Sequence, residues 1–169
     1  MANRFSRYVA AINKTPAFMR SALLTKLFCS QVKYAKTSGV KLLKISHHQT
    51  ELLLENKKKV QNHIGGIHAV AAAVLAESAT GIVFGMNVPD SRLPLLKSMN
   101  IRYQRRMQGN LLAKARLTDE QIADIQQAEK GDIIVPVTIT DESGQPPIEC
   151  EMNWAWVNKK PKTEAVGKN

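Results

Sequence analysis

The sequence predicts an α+β domain in which an antiparallel sheet of about six strands wraps one central Ala-rich helix. Three observations carry this. The run from Ala69 to Ala76, continuing to Gly81, is apolar nearly all round, which marks a helix buried on every side. Ile148, Cys150, Met152, Trp154 and Trp156 alternate strictly with Glu149, Glu151 and Asn153, as expected of a strand with one face on a core. The pattern order is helices, two strands, the buried helix, then about four strands.

Taken in order, residues 3–31 read as helix, with Phe5, Tyr8, Val9 and Ile12 at helical spacing. Thr15-Pro16 predicts a fresh start, Thr15 as N-cap and Pro16 in the first turn, and Phe18, Ala22, Leu23 and Leu27 stripe the second helix. Arg4, Arg7, Lys14, Arg20, Lys26 and Lys33 accompany these helices, so a membrane-surface role is an alternative to packing on their own domain. Gly39 opens a strand region, where 40–46 and 51–55 form a candidate hairpin about His47-His48. Adjacent histidines point to opposite faces of a strand, which is poor geometry for chelation. Lys57-Lys58-Lys59 reads as a solvated turn. Gly65-Gly66 forms a flexible loop, and Gly81 is a natural stop for the Ala-rich helix. Strands are expected at 99–107, 110–117, 132–140 and 148–157. Thr118 caps a short helix to Ala128, with Glu120 or Gln121 completing the cap. Pro136 implies an edge or a bulge, and Asp141 to Gly144 forms a turn.

The chain has 169 residues, enough for one domain with a real core, divided into a helical segment 1–38, the sheet-and-helix domain 39–158 and a basic flexible tail 159–169. Cys29 and Cys150 fit no metal spacing, so two inert thiols in a reducing cytoplasm are the simplest expectation, and no metal is expected. Neither a secretory signal nor a membrane span is expected. The net charge of +10 attracts polyanions, whether nucleic acid, membrane surfaces or phosphorylated cofactors. With aromatics at only 5% and both Trp on a core-like face, a base-stacking nucleic-acid platform has little support.

The central helix holds an anomaly. Glu77 follows Val74 by three positions and Val70 by seven, which places it on their face. A carboxylate buried among Val and Ala would be desolvated, raising its pKa as suits a general base. The plainer expectation is an ion pair with Arg102, Arg105 or Arg106. Asn62-x-x-Gly65-x-x-His68 precedes Glu77, and the helix beginning near Ala69 offers backbone N–H groups to a developing oxyanion.

This motif, Asn-x-x-Gly-x-x-His followed nine positions later by a carboxylate on an Ala-rich helix, resembles the PaaI-like branch of the hotdog thioesterases. The wider chain resembles a subfamily of that superfamily catalogued as a domain of unknown function, from about Gly39 to Val157. The resemblance implies a hotdog fold and hydrolysis of an acyl-CoA thioester. Coenzyme A would be part of the substrate, with no separate cofactor. It implies Glu77 and Asn62 as the groups that activate or position water and the Ala69 N–H as oxyanion donor. His68 stands where the family has its loop histidine, a thioester-orienting or loop-packing residue. Gly65 and Gly66 open the loop, and Arg102, Arg105 and Arg106 are candidates for the coenzyme A phosphates. The family commonly has two glycines after the His, where this chain has Ala69 and Val70. That departure favours the alternative of a non-catalytic acyl-CoA or fatty-acyl binding protein. Ala69 and Glu77 lie roughly 12 Å apart along a helix, so one chain does not aim both at one carbonyl. A homodimer with antiparallel helices brings Ala69 of one subunit to Glu77 of the other. The resemblance implies the same dimer, with a tetramer as the larger alternative. A dehydratase is disfavoured because no His follows Asp90 closely, and no Gly-x-Ser-x-Gly occurs.

Overall fold

The computed structural model describes residues 3–159. The basic tail from residue 160 onward therefore lies outside the described residues. Three helices lead the chain: α1 (Arg4–Asn13), α2 (Ala17–Gln31) and α3 (Lys33–Ser38). Asn3 caps α1 and also ties it to the core, its side-chain amide donating to the Gly85 and Val88 carbonyls at 2.7 and 2.6 Å. Thr15 does not cap α2. Its hydroxyl instead donates back to the Ile12 carbonyl at 2.7 Å, and Pro16 takes the cap position. Val9, Leu24, Phe28 and Cys29 are buried in the common core, so these helices pack on their own domain. Gly39 adopts φ 80°, the left-handed conformation that ends α3.

The hairpin β1 (Lys41–Ile45) and β2 (Gln49–Leu54) follows, and a single 3-10 turn spans Lys58–Val60. The central helix α4 (Ala69–Gly85) lies against β3 (Arg92–Tyr103), β4 (Leu111–Arg116), β6 (Val137–Thr140) and β7 (Ile148–Asn158) as well as β2. It runs one turn past Gly81, the expected stop. Gly81 is there because a Cβ would meet the Trp154 ring at 2.7 Å, so a close helix–sheet approach, not a turn, requires it. α5 (Asp119–Gln127) opens with the expected capping box, Thr118 with Gln121.

The expected strand at 132–140 is two strands in two sheets. Pro136 lacks an N–H, and around it the chain passes from β5 (Gly131–Ile134), paired with β7, to β6, paired with β4. One sheet runs β1-β2-β4-β6 and the other β3-β7-β5, joined through the Val135 N–H to the Met152 carbonyl at 2.9 Å. Pairing is antiparallel throughout. The seven strands curl around α4 in the hotdog arrangement, with β1 at one edge and β3 at the other.

β3 begins seven residues earlier than the alternation suggested and ends at Tyr103. The register explains the end. The N–H groups of Gln104 and Arg105 both donate to the Pro147 carbonyl, which turns the chain off the sheet. Arg105 and Arg106 are therefore loop residues. β7 keeps the expected alternation, with Ile148, Met152, Trp154 and Trp156 buried. Trp154 and Trp156 pack on Phe84 with ring centroids 5.7 and 6.1 Å away. Both indole N–H groups are satisfied, at Thr80 Oγ1 (2.9 Å) and the Ala128 carbonyl (2.7 Å).

Candidate active site

The loop before α4 is built by Asn62. Its backbone N–H donates to the Gly66 carbonyl at 2.8 Å, and its Oδ1 accepts the N–H groups of Ile64 and Gly66, each at 3.1 Å. Gly65 sits at φ 79°, a conformation side chains rarely tolerate, so the glycine in the motif is a backbone requirement. A bridge between Gln61 and Ile67 closes the loop. It delivers His68 to the N-cap of α4, where Nδ1 accepts the Val70 N–H at 3.1 Å. A ring that accepts at Nδ1 carries its proton on Nε2.

The His68 carbonyl takes the N–H groups of Ala71 and Ala72 at 2.9 and 3.1 Å. The Ala69 N–H is left without an acceptor among the described residues. It is half-buried at the positive end of a helix 17 residues long, the setting in which a backbone donor stabilises an oxyanion. The carbonyl of the same residue is held by Tyr103, whose hydroxyl donates to it at 2.8 Å. Burial, with a smaller contribution from Cys150, raises the Tyr103 pKa and keeps this hydroxyl a donor. The contact pairs residues 34 apart, and no local signal announces it.

Glu77 is not buried within the protomer, contrary to the expectation of a desolvated carboxylate. Glu77 lies on an exposed stripe of α4 with Val70, itself 52% exposed. Nor does Glu77 form the plainer ion pair: among the described residues it has no salt-bridge partner. It borders an apolar cleft of about 160 Å³ between α4 and the amino-terminal helices. A second cleft, of about 350 Å³, lies beside His68 and carries Lys59. Tyr34 borders both.

The arginines separate into three environments. Arg105 is committed to structure, its guanidinium straddling Asp141 at 2.7 and 3.0 Å and also reaching Ser143 and the Gln145 carbonyl. The Asp141 side chain is fully buried, and the Arg105 hydrogen bond holds its carboxyl far below the usual range. Arg106 is exposed and shares a cleft of about 240 Å³ with Asn62, Gly65 and Gly66, which Arg105 also lines. Arg102 is elsewhere, in a depression with Asn100, Glu149 and Glu151 and paired in register with Glu149. The structure thus gathers Asn62, Gly65, Gly66, Arg105 and Arg106, with His68 and Ala69 at the end of the same loop. It leaves Glu77 two turns along the helix and Arg102 apart.

Cys29 and Cys150 are both free, and burial pushes their thiol pKa values up, that of Cys150 to about 11. Neither is poised to react as a thiolate. His47 is fixed by Asn87, its Nδ1 lying 2.9 Å from the Asn87 Oδ1, and His48 faces Asp119.

The sheet order, the enclosed helix and the loop at its start define a hotdog-fold protein. The chain belongs to the family described as domain of unknown function DUF4442, whose model matches residues 20–157. No curated protein matches the chain. Among solved structures it is similar to PA5026 of Pseudomonas aeruginosa, a protein of unknown function described as a probable thioesterase. The identity is 24% over 82% of this chain and 95% of that one, with a TM-score of 0.72. It is also similar to the thioesterase HI1161 of Haemophilus influenzae, at 14% identity over 85% and 94% of the two chains, TM-score 0.67. A thioesterase family protein of Silicibacter pomeroyi matches at 10% identity over 80% and 96%, TM-score 0.66. These likenesses establish a shared fold. No helix among the described residues is long and apolar enough to cross a membrane.

Proposed function

We propose that the protein hydrolyses acyl-CoA thioesters. The observation that carries this reading is the start of α4: the N–H of half-buried Ala69, without an acceptor among the described residues, on the helix whose open stripe bears the carboxylate of Glu77. The thioester carbonyl oxygen accepts from the Ala69 N–H, and the carbonyl carbon gains electrophilic character. Glu77 takes a proton from water as the water oxygen bonds to that carbon. Collapse of the tetrahedral adduct breaks the C–S bond, and the thiolate leaves and is protonated. Direct attack by the Glu77 carboxylate, through an anhydride that water then cleaves, uses the same geometry. The Oδ1 of Asn62 is consumed by the loop, so its side-chain nitrogen is the part that holds water. Arg106 lines a cleft with Gly65 and Gly66, which supports it as the arginine for a coenzyme A phosphate, while Arg105 fixes the loop that carries it.

The active unit is a homodimer. β3 is a 12-residue edge strand, and Met99 and Tyr103 on its inward face are exposed beside the equally exposed Val70. Such an edge and patch support a second copy, which would cover the open stripe of α4, desolvate Glu77 and bring it to the Ala69 N–H of the other protomer. One observation favours a second reading, acyl-CoA binding without turnover. Val70 projects from the helix start where the resembling family has glycine, and narrows the approach to the N–H. Release of free thiol from short, medium, long and aromatic acyl-CoAs tests the two, with Glu77→Gln alongside. Turnover that the variant loses supports hydrolysis; absence of turnover in a folded dimer overturns it.

A further inference from the structure

We propose that the cleft between α4 and the amino-terminal helices is the acyl pocket and that it selects small acyl groups, of about six carbons or a single ring. This rests on the thioester reading above and deepens it. The pocket walls come from two parts of the chain: Phe28, Val32 and Tyr34 from α2 and the start of α3, and Val74, Gly81 and Trp154 from the core. Glu77 stands at the same cleft. An acyl chain lying there therefore has its carbonyl end beside the proposed base, in the protomer that supplies that base.

Three features argue for this occupant. The cleft is apolar apart from Glu77, Ser78 and the Tyr34 hydroxyl, which suits a hydrocarbon ending in a polar reacting group. Its floor is rigid. Trp154 is held by Thr80 and packed on Phe84, and Gly81 is so close beneath the indole ring that no side chain fits between them. Its volume, about 160 Å³, is close to the roughly 150 Å³ of an apolar cavity that holds one benzene ring. Longer chains meet Phe28, which is only 8% exposed and packed into the core. The amino-terminal helices thus act as the wall that sets acyl length.

Binding of non-hydrolysable S-alkyl-CoA thioethers, from ethyl to dodecyl, tests this by calorimetry. Thiol release from the matching acyl-CoAs is measured in parallel. The wild type should bind best near hexyl. Phe28→Ala should move the optimum to longer chains. Val32→Trp, at a position 40% exposed and so tolerant of a larger side chain, should fill the cleft. Each methylene excluded from an apolar site weakens binding about fourfold, so hexyl binding should fall about tenfold or more. Affinity that rises steadily with chain length and ignores both folded variants overturns the proposal, as does failure of all the thioethers to bind. If the chain preference and its shifts appear without any thiol release, the pocket stands and hydrolysis falls. If Glu77-dependent release persists with a length profile that Val32→Trp leaves unmoved, hydrolysis stands and the pocket falls.

Discussion

The two sides of α4 make different use of the same small-residue sequence. On the side toward the sheet, Ala72, Leu75, Ala76, Ala79 and Val83 are entirely buried, and Thr80 spends its hydroxyl on the Ala76 carbonyl and on Trp154. On the other side Val70 and Glu77 are exposed, and Glu77 finds no ion-pair partner among the described residues. On the first side the apolar residues are fully buried and the Thr80 hydroxyl is matched. Among the described residues the second has an unaccepted N–H at one end, a carboxylate without an ion-pair partner in the middle and a cleft beside it. Stability is built on one side, and what the chain leaves unsatisfied on the other is available to a ligand or a second protomer.

The largest expected effect sharpens this contrast. Glu77→Gln removes the proposed proton acceptor while leaving packing alone, so thiol release should fall by about 10²–10⁴-fold. The melting temperature should stay near that of the wild type. A large loss of stability instead would place Glu77 among the structural residues and break the comparison. Leu75→Ala on the closed side should do the reverse, costing about 2–5 kcal/mol in urea unfolding while the surviving folded protein keeps its turnover.

Next comes the loop that serves the open side. The Asp141 carboxyl has its folded pKa depressed, first by Arg105, so it favours the folded state above the ordinary Asp value of about 3.9. That contribution is lost as pH falls toward the lower folded value. Asp141→Asn should reduce the melting temperature by several degrees at neutral pH and flatten its decline in acid. An unchanged acid profile would show that another carboxylate governs it. Tyr103→Phe, at the border of the two sides, is the mildest change. Losing the bond to the Ala69 carbonyl should cost about 1 kcal/mol and slow turnover a few-fold, read as kcat against KM.

Much of this was legible in the order of residues. The alternation of β7 survives intact, as do the Thr118–Gln121 cap and the hairpin at His47-His48. All are local, and each follows from a side-chain period or from a turn a few residues long. Three features were not legible. Gly81 reads as a stop by composition, but its role depends on a tryptophan more than seventy positions away. The division of 132–140 between two sheets depends on which strands flank Pro136. Glu77 was read as buried because a helix apolar on all sides is normally covered, and nothing in a helical period states which stripe the rest of the chain leaves open.

The sequence by itself determined the class of fold, the loop-to-helix motif and the position of the one carboxylate on the buried helix, because periodicity and backbone preference act over a few residues. Only the tertiary structure decided that Arg105 belongs to Asp141, that Tyr103 holds the Ala69 carbonyl and that the amino-terminal helices wall a cleft at Glu77. Those outcomes are choices among partners distant in the chain. Several arginines and several apolar helices satisfy the same local rules, and packing into one shared volume selects among them.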